Sequence, residues 1–163
     1  MTMGYLNRSA IISEDGLYRY HLSRTWGDDE RAVFIMLNPS TADGFTDDAT
    51  IRRCIAFAKA WKLDGIEVVN LYAYRATHPQ ELWTVNDPVG PDNDRWLRSA
   101  GTSGYPLIAA WGNHARQDRV SQVLAMPGFE KLTCLKTTRS AAPAHPLRLS
   151  ADLTPVPWPG VQG

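Results

Sequence analysis

The sequence predicts an α/β protein: a three-layer α/β/α sandwich around a central, mainly parallel sheet of four strands, with an N-terminal antiparallel hairpin. Strand-like and helix-like segments alternate along most of the chain, which favours a parallel sheet with helices on both faces. Residues 32–37, AVFIML, form a continuous apolar run typical of a central strand covered on both faces. A turn signal at residues 13–16, followed by alternating bulky and polar residues, predicts the hairpin at 10–23.

The later elements are predicted from their own patterns. Apolar residues recur at helical spacing from Ile51 to Trp61, and Asp47 or Asp48 is suited to cap that helix. Apolar segments at 66–72, 105–112 and 131–136 predict the other strands, with helices at about 92–99 and 114–125. We therefore predict a single domain, 1–163, with a hairpin region at 10–27, an α/β core at 31–150 and an extended, proline-rich tail at 154–163.

Composition limits the possible functions. Lys and Arg total 17, as do Asp and Glu, so no overall field draws the protein to DNA, and any nucleic-acid contact has to come from a local patch. Two cysteines are too few for a disulfide framework or a four-thiolate cluster. The first residues lack the pattern of a secretory signal, and no segment approaches the roughly 20 apolar residues of a membrane span. We expect a cytoplasmic protein with no membrane partner.

Polar residues follow each predicted strand, and the carboxyl ends of parallel strands meet at one edge of a sheet, where ligands bind. The four segments are LNPSTAD, NLYAYRATHP, WGNHAR and KTTRSAAPAHPLRLS. We expect them to converge on one rim. Their candidate binding or catalytic residues are Asn38, Pro39, Ser40, Thr41, Asp43, Asn70, Tyr72, Arg75, Gly112, Asn113, Lys136, Arg139, His145, Leu147 and Arg148.

Three of these residues suggest a chemistry. The Asn38 amide, presented by the turn at Pro39, is suited to orient a water or hold a base edge. Asn70 ends an apolar run, so its amide is placed to read the hydrogen-bonding edge of a planar heterocycle. A neutral His145 imidazole can donate a hydrogen bond to an oxygen on which negative charge develops. The alternatives stay open: Asn38 can satisfy backbone groups where the strand ends, Asn70 can belong to a structural network or a backbone turn, and His145 can be a plain loop histidine.

The remaining candidates have weaker signals. Tyr72 is suited to stack on a ring or to fill the core, and Arg75 to bind a phosphate or carboxylate or to form a surface ion pair. Gly112 would let a ligand approach closely, and residues 131–150 contain basic side chains but no Asp or Glu, as suits a phosphate backbone. Clustered acids at Asp43, Asp47 and Asp48 suit a hard cation, but helix capping explains them better, so we predict no metal site.

Four motifs follow one another in the chain: strand–Asn-Pro, strand–Asn-hydrophobic, strand–Trp-Gly-Asn and a late His-Pro. With these motifs in this order, the chain resembles the uracil-DNA glycosylase superfamily over about residues 33–150. Within it, the chain is similar to uncharacterised bacterial and phage domains that carry LNPSTAD and NLYAYRAT. The resemblance implies metal-independent hydrolysis of the N-glycosidic bond of an altered base. It implies that Asn38 holds the water, Asn70 reads the base and His145 stabilises the departing base anion, with Leu147 as a possible wedge.

The chain departs from the superfamily pattern in two places. Met36 and Ser40 stand where a GINPG motif has glycines, so the pocket floor is expected to be narrower or shaped for another base. HPLRLS also replaces HPSP. Two other functions stay open: a non-catalytic binder of a nucleotide, modified base or nucleic-acid end, and an enzyme of free nucleosides or nucleotides. We therefore predict that the partner is DNA, a nucleotide or a modified base, and that no cofactor is needed.

Overall fold

A computed structural model describes residues 4–162, so residues 1–3 and Gly163, at the ends of the predicted domain and tail, lie outside it. In the described part, seven strands form one sheet in the order β1-β2-β4-β3-β5-β6-β7. The strands are β1 Asn7–Ile12, β2 Arg19–Thr25, β3 Ala32–Met36, β4 Gly65–Asn70, β5 Leu107–Ala109, β6 Thr133–Cys134 and β7 Val156–Pro157. The α-helices are α1 Ala49–Ala60, α2 Asn93–Gly101 and α3 Gln117–Leu124. Short 3-10 helices cover Pro79–Thr84, Phe129–Lys131 and Pro159–Gln162.

The predicted four-stranded, mainly parallel sheet with a separate hairpin was wrong. The sheet is mixed: the β1–β2, β2–β4 and β6–β7 pairings are antiparallel, and the β3–β4, β3–β5 and β5–β6 pairings are parallel. The hairpin is not an appendage, because β2 is hydrogen-bonded along β4, with Leu22 opposite Val68. The predicted extended tail contributes β7, which pairs with β6. Antiparallel strands therefore flank the parallel strands on both sides.

Two apolar cores lie on opposite faces of the sheet, because successive residues of a strand point to opposite faces. Phe34 and Val68 belong to one core, which also contains the buried residues of α1. Val33 and Val69 belong to the other, which also contains the buried apolar residues of α2 and α3. Burying one such side chain stabilises the fold by about 1.5–3 kcal/mol. Asn70 is two residues beyond Val68, so its side chain lies on the α1 face.

Helix α1 confirms the prediction from its apolar spacing. Ile51, Cys54, Ile55 and Ala58 are buried against the sheet. Its cap is the second of the two predicted acids: Asp48 Oδ1 accepts a hydrogen bond of 2.9 Å from the Ile51 N–H. No α-helix between residues 4 and 162 is long and apolar enough to cross a membrane.

A fully buried arginine of β2, Arg24, holds the loop that precedes α1. Its Nε donates to Asp47 Oδ1 at 2.7 Å, and its Nη2 donates to the carbonyls of Asp43 and Thr46. Tyr5 donates its hydroxyl to the other Asp47 oxygen at 2.6 Å. Burial and this neighbouring carboxylate raise the pKa of Tyr5 to about 12. The hairpin thereby fixes the path of the chain between β3 and α1.

Side chains of α2 and α3, on the other face of the sheet, bind the backbone at the end of β4. Asn93 donates its Nδ2 to the carbonyls of Asn70 and Leu71, at 2.9 and 3.2 Å. Arg119 donates its Nε to the Leu71 carbonyl at 2.8 Å, and its Nη2 to Asp94. The backbone at the end of β4 is therefore satisfied by α2 and α3, without help from the Asn70 side chain.

Candidate functional site

A cavity of about 720 Å³ lies on the α1 face, where the carboxyl ends of β3, β4 and β5 meet the first turn of α1. This volume is within the range of small-molecule sites, roughly 300–1,000 Å³. The segments after β3, β4 and β5 and the late His-Pro segment all contribute to it, as expected for the carboxyl edge of parallel strands. The predicted site residues that line it are Asn38, Pro39, Ser40, Asn70, Gly112, Asn113, His145, Leu147 and Arg148.

Asn70 is the most unusual of these residues. It is fully buried and lines the cavity, yet neither its Nδ2 nor its Oδ1 has a hydrogen-bond partner among the described residues. A buried donor or acceptor without a partner costs roughly 1–3 kcal/mol. The amide therefore presents an unused donor and an unused acceptor, side by side, to whatever fills the cavity.

This arrangement makes a prediction about stability. Replacing Asn70 by the similarly shaped Leu is expected to raise the free energy of unfolding of the unliganded protein by about 1–3 kcal/mol, because it removes two unpaired buried polar groups. Urea denaturation of the two proteins measures the difference. Asn93→Leu is the matched control: the Asn93 amide donates two hydrogen bonds, so the same substitution should lower stability. Equal losses in both variants would show that the Asn70 amide is structural.

Unlike Asn70, Asn38 uses its amide N–H groups in hydrogen bonds within the protein. Its Nδ2 donates to the Pro39 carbonyl at 3.0 Å and to the Ala76 carbonyl at 2.8 Å. The Ala76 N–H also donates to the Pro39 carbonyl, at 2.9 Å. Asn38 thus joins the loop after β3 to the loop after β4. Because both amide hydrogens are used in this way, its Oδ1 is the atom left to accept a hydrogen bond from a ligand or water.

His145 is held as a neutral hydrogen-bond donor. The Leu147 N–H donates to His145 Nδ1 at 3.2 Å, so in this state Nδ1 is unprotonated and Nε2 carries the hydrogen. Burial lowers the pKa of His145 below its usual value of 6.5, and the Asp48 carboxylate partly opposes this shift. The neutral ring therefore keeps an Nε2–H at neutral pH. This side chain lines the same cavity as Asn70.

Gly112 and Asn113 form the wall beside His145. Gly112 has a φ of +74°, a left-handed conformation that favours glycine, and its N–H donates to the Pro143 carbonyl at 2.8 Å. Asn113 accepts a hydrogen bond of 2.6 Å from the Thr138 hydroxyl. These contacts join the loop after β5 to the loop that carries His145.

Two charged cavity residues were missed as functional candidates. Arg19, at the start of β2, is 2% exposed and lines the cavity with Asp48, for which the sequence analysis favoured a helix cap over a cation site. The sequence could have indicated Asp48 as a site residue, because it follows a polar loop after a central strand. No sequence pattern could have indicated Arg19, because its position depends on the pairing of β2 with the parallel strands.

The other predicted site residues do not line this cavity. Tyr72 lies in the core on the opposite face, where its hydroxyl accepts from the Arg116 N–H. Arg75 donates weakly to the Ser40 and Gly16 carbonyls, at 3.4 and 3.5 Å. Asp43 accepts from the N–H groups of its own loop, which lowers its pKa. Thr41, Lys136 and Arg139 are exposed loop residues.

The cavity thus combines an amide that offers a donor and an acceptor, a neutral imidazole N–H, a carboxylate and a guanidinium. In residues 4–162, no group of three or more His, Cys, Asp or Glu side chains is placed to hold a metal ion. Cys54 and Cys134 are buried, and burial raises the pKa of both thiols. The amide, imidazole, carboxylate and guanidinium can supply hydrogen bonds and electrostatic stabilisation to a polar ligand.

Comparison with known proteins gives a family. A family model described as "Protein of unknown function (DUF1643)" matches residues 19–147, from the start of β2 to the loop after His145. The search of curated proteins gave no match, and neither did the search of solved structures. The resemblance to uracil-DNA glycosylases therefore stays a prediction from the motifs.

Proposed function

The chain belongs to the DUF1643 family, and we propose that its cavity binds the base of a nucleotide or nucleic acid and hydrolyses the N-glycosidic bond. The observation that carries this proposal is the unpaired, fully buried amide of Asn70. A planar base presents a neighbouring donor and acceptor on its Watson–Crick edge, and a carboxamide pairs with both at once. Such a ligand would remove the penalty of the unsatisfied amide.

His145 supports cleavage rather than binding alone. When the C1′–N bond breaks, its electron pair leaves with the base, and negative charge develops on the base oxygens. The Nε2–H of a neutral imidazole can donate to such an oxygen, and a donor in a site shielded from water is worth several kcal/mol. No proton has to be transferred from His145 for the base to depart as an anion.

The sugar left behind is oxocarbenium-like and is attacked by water at C1′. Asn38 supports this step because its Oδ1 is free to accept a hydrogen bond from the water. The Asp48 carboxylate lies in the same cavity and favours the positive charge that develops on the sugar. The attacking water finally loses its proton to solvent or to this carboxylate.

Base release tests the proposal. Wild-type protein is incubated with single- and double-stranded DNA carrying uracil and other altered bases, and with the corresponding nucleosides and nucleotides. Free base is measured by chromatography, and abasic sites by alkaline cleavage. Release from any of these substrates supports the proposal and shows whether the protein acts on DNA, on nucleotides or on nucleosides. No release by folded protein would contradict hydrolysis and favour a binding function.

Asp48 gives a further prediction. Asp48→Asn keeps the helix cap, because Asn and Asp cap about equally well, but it removes the negative charge. We expect base release to slow by at least about tenfold, equivalent to 1.36 kcal/mol or more in activation free energy. The melting temperature should change little. Asp92→Asn removes a charge from the cap position of α2, outside the cavity, and should leave release unchanged. Equal rates in the two variants would exclude a role for the Asp48 charge.

A further inference from the structure

Arg19 is a buried cation without a matching anion. Its side chain lines the cavity and the residue is 2% exposed. The guanidinium donates one hydrogen bond, from Nη1 to the Ala42 carbonyl at 3.1 Å, whereas its buried Nε has no partner among the described residues. Burial lowers the pKa of Arg19 to about 10, so it is still charged at neutral pH. A guanidinium carries five N–H donors, and most of these are unused.

The surroundings do not neutralise this charge. None of the ion pairs in residues 4–162 includes Arg19. The neighbouring charges that act on it are Asp48, which favours the cation, and Arg24 and Arg75, which disfavour it. Arg24 is paired with Asp47. The charged residues that line the cavity outside any ion pair of the described residues include two arginines, Arg19 and Arg148, and one carboxylate, Asp48. A buried charge without its partner is strongly unfavourable, which favours an anionic ligand.

The first turn of α1 lies beside this charge. Asp48, Ala49, Thr50 and Ile51 line the cavity with Arg19, and α1 has 12 residues. The Asp48 side chain satisfies the Ile51 N–H, whereas the N–H groups of Ala49 and Thr50 have no acceptor within the helix. Helix N-termini bind anions through their free N–H groups, and guanidinium groups bind phosphate through paired N–H donors.

We infer that Arg19 and the first turn of α1 form a phosphate subsite, so that the ligand is a nucleotide unit with its phosphate at Arg19 and its base at Asn70. This inference rests on the proposed base-binding role of the cavity. It narrows the substrate from free bases and nucleosides to species that carry a phosphate, either a free nucleotide or a nucleotide within a strand.

The test compares ligands that differ only in the phosphate. Binding of 2′-deoxynucleosides with uracil, thymine, cytosine or hypoxanthine, and of their 5′-monophosphates, is measured by calorimetry at constant ionic strength. Inorganic phosphate and a short single-stranded oligonucleotide are measured in parallel. Wild-type protein should prefer the monophosphate or the oligonucleotide to the nucleoside by about 10- to 100-fold, the range expected for hydrogen bonds to a charged group.

Arg19→Gln should bind nucleoside and nucleotide alike, whereas Arg52→Gln, which removes an exposed arginine of α1 outside the cavity, should keep the preference. Because Arg19 also supports the Ala42 carbonyl, Arg19→Lys provides a variant that keeps the charge, and it should keep part of the preference. No phosphate preference in the wild-type protein, or the same preference in Arg19→Gln, would overturn the inference.

Failure of the proposed function is separable from failure of the subsite. If no base is released but nucleotides bind in an Arg19-dependent manner, the subsite stands and hydrolysis does not. If base is released from nucleosides and nucleotides with equal efficiency by wild type and Arg19→Gln, hydrolysis stands and the subsite does not. Stronger binding by the oligonucleotide than by the monophosphate assigns the phosphate to a nucleic-acid strand.

Discussion

Replacing His145 by Ala is expected to slow base release by roughly 10²- to 10³-fold, the usual effect of removing one donor to a developing oxyanion. The reason is that the substitution removes the Nε2–H donor to the departing base. In the wild type, the hydrogen bond from the Leu147 N–H to Nδ1 fixes the hydrogen on Nε2. Single-turnover release measures the rate of the chemical step. The melting temperature should stay close to that of the wild type, because the ring is half-buried and accepts one local hydrogen bond.

A leaving-group comparison separates this role from a structural one. A fluorinated base forms a more stable anion and needs less help to depart. The loss in His145→Ala should therefore be smaller for the fluorinated analogue of the best substrate than for the substrate itself. His78→Ala, which alters an exposed histidine outside the cavity, should leave both rates unchanged. Equal losses for the two leaving groups would contradict anion stabilisation by His145.

Replacing Arg24 by Met is expected to lower the free energy of unfolding by about 3–5 kcal/mol, the typical result of breaking a buried ion pair. Arg24 is fully buried, and its loss removes the donor to Asp47 Oδ1 and to the carbonyls of Asp43 and Thr46, so that the Asp47 carboxylate keeps only the Tyr5 hydroxyl. In a chain of this length the melting temperature should fall by roughly 6–20 °C. Thermal and urea unfolding both measure the change.

The same substitution at Arg8 is the control. Arg8 is exposed, and its contact with the Phe45 carbonyl is long, at 3.5 Å. Arg8→Met should therefore change stability by less than about 0.5 kcal/mol, as is usual for exposed positions. Similar small effects in both variants would mean that the loop before α1 does not depend on the buried arginine of β2.

Local patterns in the sequence predicted several elements and much of the cavity wall. The spacing of Ile51, Cys54 and Ile55 gives α1 directly, because a helix on a sheet needs one apolar face. Asn70 was a candidate because a polar residue ends an apolar strand, and the structure buries this residue with its amide unpaired among the described residues. The convergence of Asn38 and His145 with it follows from the parallel strands, whose carboxyl ends meet at one edge.

The sheet itself was mispredicted, for reasons that lie in long-range pairing. Polar and bulky residues alternate in β2, and this pattern predicted a hairpin apart from the central sheet, whereas the strand pairs with β4 and most of it is buried. Buried arginines make a core strand resemble a surface strand in the sequence, because the groups that they contact, the Ala42 carbonyl for Arg19 and the Asp47 carboxylate for Arg24, are distant in sequence. Strand β7 ends at Pro157, and a proline-rich tail gives no signal for sheet pairing. The Arg19 contribution to the cavity was missed for the same reason.

The central claim is that the buried Asn70 amide holds a base for cleavage. Its most direct test is single-turnover base release by wild type and by Asn70→Leu on one panel of DNA, nucleotide and nucleoside substrates. We expect release by wild type and loss of release in Asn70→Leu, although the variant should be at least as stable as the wild type. Unchanged release by Asn70→Leu, or no release from any substrate by folded wild-type protein, would contradict it.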